Sequence, residues 1–83
     1  MLVRRGEHRK AAQALQQLAS RDGSGAAWVR LGVELVRARK LGAGIDALKQ
    51  GRFLHRRAGY RRRADVVAGL IEQVRQGQGL RAA

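Results

Sequence analysis

The sequence predicts an all-α protein, and three observations carry that reading. Apolar residues recur at three- and four-residue spacing along most of the chain, the period of a helix packed on one side. No segment alternates apolar and polar residues with period two. Proline is absent, so the breaks fall at glycine-containing turns instead. The 83 residues suffice for one small domain. It is expected over residues 1–76, with an aperiodic and disordered tail over 77–83.

The first helix is expected from about Glu7 to Arg21, with Ala11, Ala14, Leu15 and Leu18 on its apolar face. Asp22-Gly23-Ser24-Gly25 is a turn signal, and Ser24 is placed to cap the helix that follows. That second helix, about Ala26 to Arg39, carries a core stripe of Trp28, Leu31, Gly32 and Leu35. Val29, Val33 and Val36 widen its apolar surface so far that it needs covering on two sides. After Lys40-Leu41-Gly42 a third helix is expected over about Ala43 to Arg57, with Ile45, Leu48, Gly51 and Leu54 buried. Gly44 and Gly51 each cost about 1 kcal/mol inside a helix, so they imply close approach of a neighbouring backbone. Ala58-Gly59 ends this segment. The fourth helix, about Tyr60 to Gln76, repeats Tyr60, Ala64, Val67, Ala68, Ile71 and Val74 on one face. Asp65 stands one turn from Arg61 and Arg62, at the spacing of a local ion pair.

Charge is the dominant feature of the composition. Eighteen basic against six acidic residues give +12, a field that draws polyanions. Cutting the chain after residues 22, 41 and 60 leaves +3 in every part, so the charge belongs to the domain and not to a tail. A local cluster runs from Arg52 through His55, Arg56, Arg57, Arg61, Arg62 and Arg63, with Phe53 and Tyr60 between. Of these, Arg52, Arg56, Arg57, Arg61, Arg62 and Arg63 are the candidate anion-binding residues. The absence of cysteine removes disulfides and thiolate metal sites and fits a reducing, cytoplasmic setting. No apolar run approaches the roughly 18 residues that span a membrane.

The chemistry of catalysis is not visible. His8 and His55 are far apart, the six carboxylates are scattered, and the aliphatic hydroxyls are Ser20 and Ser24, beside a turn. Gly42-Ala43-Gly44 precedes a helix start without forming a phosphate loop. No enzyme, metal, cofactor or small-molecule substrate is expected.

The stretch from Trp28 to Gly51 resembles one tetratricopeptide repeat, a helical hairpin of about 34 residues. Trp28, Leu31, Gly32 and Leu35 stand where that family places a large residue, a leucine, a glycine and a bulky residue. Gly44, Leu48 and Gly51 stand where it places small, large and small. The family usually has glycine where Arg39 stands, alanine at Gly44 and Gly51, and a closing proline that is missing here. The resemblance implies antiparallel helical hairpins, about four helices forming one complete repeat with flanking helices on both sides. It also implies a scaffold, adaptor or chaperone that binds a partner along its first helices, here through Ala26, Val29, Arg30, Val33 and Arg37. Valines edged by arginines suit an apolar or amphipathic helix with acidic flanks, or a second copy of the chain. The alternative is a nucleic-acid-binding module that uses the arginine cluster on phosphates.

Overall fold

Helix ends in this chain are set by local backbone chemistry, and the computed structural model shows how. It describes residues 5–77, which form α1 (Arg5–Asp22), α2 (Gly25–Arg37), α3 (Leu41–Arg57) and α4 (Arg61–Arg75), with no strand among the described residues. The tail expected over 77–83 lies, beyond Gly77, outside them. Ser24 caps α2 as its sequence position implies: its backbone is extended and its Oγ accepts from the Ala27 N–H at 3.2 Å. At the other end of α2, Arg39 turns into the left-handed region at φ 68°. The Lys40 N–H then reaches back to the Leu35 carbonyl and the Arg39 N–H to that of Val36, which satisfies carbonyls the helix leaves open. Gly59, at φ 86°, closes α3 the same way, with Tyr60 N–H donating to His55 O.

Connections this short make each packed pair antiparallel. α1 lies on α2, α2 on α3 and α3 on α4. Among the described residues, two clusters form the interior. The first joins Ala12 and Ala19 of α1, Ala27 and Leu31 of α2 and Ala47 of α3, with Leu15, Trp28 and Leu35 half-buried against them. The second joins Val36, Leu48, Val67, Ile71 and Val74, with Val29, Val33, Ile45 and Leu70 packed around it. α2 is therefore covered on two sides, as its breadth of apolar surface requires.

The expected close approach occurs where α2 crosses α3. A Cβ on Gly44 would lie 2.6 Å from Val36 Cγ2, and one on Gly51 2.7 Å from Val29 Cγ2. Gly32 faces the same seam, where a Cβ would lie 2.6 Å from Leu48 Cγ. Leu48, which is fully buried, fills the space between these small residues.

Some expectations need correction. On α1 the buried residues are Ala12 and Ala19, while Ala14 is exposed and Leu18 is 49% exposed. On α3 the buried face is Gly44, Ala47, Leu48, Gly51 and His55, with Ile45 and Leu54 only half-buried. Tyr60 is exposed at the start of α4 and lies outside its buried stripe of Ala64, Val67, Ile71 and Val74. Asp65 makes no ion pair with Arg61 or Arg62 among the described residues. The pairs seen there are Arg37 with Glu34 at 3.4 Å and Arg75 with Glu72 at 3.6 Å.

Candidate functional site

Ala26, Arg30, Val33 and Arg37 fall at i, i+4, i+7 and i+11 of α2, so they share one stripe. Ala26, Arg30 and Arg37 are exposed and Val33 is half-buried. Val29 sits beside the stripe, half-buried, against Gly51. Both valines touch the second interior cluster, so the outward-facing chemistry of this stripe is mainly arginine and alanine.

The arginine cluster divides into two places. On α3, Lys49, Arg52, Phe53, Arg56 and Arg57 line a shallow hollow, and Phe53 is 57% exposed in the middle of it. Helical spacing brings these five together, because they fall three or four residues apart. No carboxylate pairs with them among the described residues. Arg61 and Arg62 are exposed on the first turn of α4, where three arginines stand at the positive end of the helix dipole and no acid offsets them.

Arg63 belongs to a different setting. Its guanidinium lies 4.4 Å from the centroid of the Tyr60 ring, a cation–π contact. Tyr60 in turn meets His55 edge to face, with centroids 6.2 Å apart. His55 is only 7% exposed, which corrects its expected place in the exposed basic cluster. Burial, and secondarily the charge of Arg63, lowers its pKa from the ordinary 6.5. These side chains and Arg57 face the first turn of α2 across a cleft that Ser24, Gly25 and Ala26 also line.

No family model matches the chain, and neither does any curated protein or solved structure. Its chemistry is therefore read from its own residues. Among the described residues, no group of three His, Cys, Asp or Glu side chains could hold a metal ion. No described helix is long and apolar enough to cross a membrane.

Sequence reasoning missed the cleft at the start of α2, although a signal for it existed. His55 lies seven residues after Leu48 and four after Gly51, on the buried face of α3, and that register places it inside. A further hollow between α1 and α3, floored by Trp28, Leu31 and Leu35 and edged by Lys40 and Asp46, is likewise absent from the sequence pattern.

Proposed function

We propose that the chain is a non-enzymatic, tetratricopeptide-like module that binds an acidic helical segment of a partner protein along the Ala26–Arg30–Val33–Arg37 stripe of α2. One observation carries the reading: the helices recur. α2 begins at residue 25 and α4 at 61, so that start returns after 36 residues. The left-handed glycines before α2 and α4, Gly23 and Gly59, keep the same interval. So do buried positions, with Ala12 answered by Leu48, Ala19 by His55 and Leu31 by Val67. Stacked hairpins of this kind present an extended face whose working residues are not needed for the interior. Arg30 and Arg37 supply orientation and encounter rate for an acidic partner, and the alanine and valine between them allow a helix to lie close.

The exposed Phe53 within its ring of basic residues favours a second reading, in which α3 binds single-stranded nucleic acid by phosphate contact and base stacking. One titration separates the two. An acidic amphipathic peptide and a short oligonucleotide are each titrated into the wild-type chain, an Arg30→Glu/Arg37→Glu variant and a Lys49→Gln/Arg52→Gln/Arg56→Gln variant. Loss of peptide binding in the first variant alone supports the partner-protein reading. Oligonucleotide binding that is lost in the second variant, with no peptide binding anywhere, overturns it.

A further inference from the structure

Residues 47–64 hold seven of the eighteen basic residues and none of the six acidic ones. Charge of one sign so concentrated is a footprint for a polyanion, without saying which. The aromatic residues say more. The chain has one tryptophan, one phenylalanine and one tyrosine. Trp28 is half-buried against the first interior cluster, whereas Phe53 is 57% exposed and Tyr60 50%. Both exposed rings lie in the basic stretch. Neither belongs to an interior cluster, so burial does not account for their placement.

The two rings occupy adjoining hollows. Phe53 lies with Lys49, Arg52 and Arg56 on α3, and Tyr60 with Arg63 where α3 turns into α4. Arg57 lines both hollows, so one arginine is shared between the rings. The Tyr60 ring is held in place: the Arg63 guanidinium lies over it at 4.4 Å and His55 meets it edge to face. Tyrosine rings and arginine planes are both surfaces on which unpaired bases stack, and here one of each is already assembled. The hollows enclose about 550 Å³ and 490 Å³, sizes usual for small-ligand sites, so each has room for one base.

We propose that this surface is a two-station track for single-stranded nucleic acid, with one base stacked on Phe53, another on the Tyr60–Arg63 pair, and a phosphate between them held by Arg57. The inference rests on the second reading above and extends it from one hollow on α3 to a path that crosses onto α4. A duplex does not fit, because its bases are already paired and stacked. A bilayer surface fits less well: faces that enter one gather their apolar residues together, and here Arg56 and Arg57 separate the rings. An acidic peptide would use the arginines and have no need of the rings.

The test uses the full chain and the fluorescence anisotropy of a labelled oligothymidylate, with inorganic polyphosphate as a competing polyanion that has no bases. Phe53→Leu and Tyr60→Leu leave the net charge unchanged. Each should weaken oligothymidylate binding about tenfold, the loss of one stacked base, with an unchanged circular dichroism spectrum and unchanged affinity for polyphosphate. Tyr60→Phe keeps the ring and should bind as the wild type does, which separates stacking from any change at His55. Arg57→Gln should make the log–log salt dependence shallower by about 0.7, one phosphate contact fewer on a single strand, and an unchanged slope would overturn its role. If one leucine variant alone weakens binding, the track is overturned; where that variant is Phe53→Leu, the single hollow on α3 still stands. If neither does, and polyphosphate binds as tightly as the oligonucleotide, charge alone acts and both the track and the reading beneath it fail. Binding to phosphatidylserine vesicles that Phe53→Leu abolishes, with oligothymidylate binding untouched by that substitution, would overturn the track in favour of a membrane surface.

Discussion

Arg39 holds a backbone conformation, φ 68°, that costs a side-chain-bearing residue about 1–2 kcal/mol. Helices commonly place glycine there, and the resemblance to helical repeats points to the same substitution. Arg39→Gly should stabilise the fold by roughly 0.5 kcal/mol, read as a raised urea midpoint: the relieved strain less the extra freedom of glycine in the unfolded chain. A lowered midpoint would show that the Arg39 side chain holds the turn in some other way. His55 gives a prediction of opposite legibility, since the residue is plain in the sequence and its burial is not. Arg63, Arg57 and the positive end of α2 all face it, and its pKa is lowered from 6.5 by burial first and Arg63 second. The unfolded chain therefore takes up a proton near 6.5 that the folded chain accepts only at lower pH. Stability contributed by neutral His55 is present above 6.5 and is lost as pH falls towards the folded value. Urea midpoints at stepped pH should show this slope in the wild type and a flatter one in His55→Gln. An equal slope in both would place the effect elsewhere.

The seam between α2 and α3 is the most legible part of the fold, because glycine inside a helix needs a reason and Gly44 and Gly51 have one. α1 is the least legible. Its apolar face is mostly alanine, which helices bury or expose at little cost, so Ala11, Ala14, Leu15 and Leu18 look as suitable as Ala12, Leu15 and Ala19. Only the position of Trp28 and Leu31 on α2 decides between them, and periodicity within α1 does not contain that information. For the same reason the α2 stripe can be named from sequence, while the cleft beside it, assembled from three helices, cannot. The glycines convert this contrast into a measurement. A methyl at Gly32 would meet the buried Leu48 at 2.6 Å and the Gly44 carbonyl at 3.0 Å. Overpacking of about 1–3 kcal/mol should outweigh a propensity gain near 1 kcal/mol, so Gly32→Ala should lower the thermal midpoint. At Gly69, exposed within α4, an added methyl would meet nothing within 4 Å. Gly69→Ala should therefore raise stability at the midpoint by about 0.5–1 kcal/mol. Two variants moving the same way would contradict the close crossing.

Net charge acts on the folded chain as a body, and its size is plain in the composition while its arrangement is not. The molecule measures 36 × 30 × 22 Å. The Debye length is about 30 Å at 0.01 M salt and about 10 Å at 0.1 M, so at the lower concentration nearly all of the +12 charge repels itself across the whole fold. Little opposes this from within. The two described ion pairs, Arg37–Glu34 and Arg75–Glu72, are single-turn contacts with exposed arginines, worth a few tenths of a kcal/mol each. The interior is also thin: among the described residues, six of the twelve buried hydrophobics are alanine, which bury little apolar area apiece. Stability should therefore rise steeply between about 0.01 and 0.1 M sodium chloride and flatten beyond it as screening contracts below the molecular dimensions. Thermal midpoints across that range test this, and a midpoint that falls with salt would mean that attractive pairs dominate. An acidic partner laid on α2 would act as a concentrated form of the same counter-charge. Its stabilising effect should then be largest at low salt and shrink as chloride takes over the role.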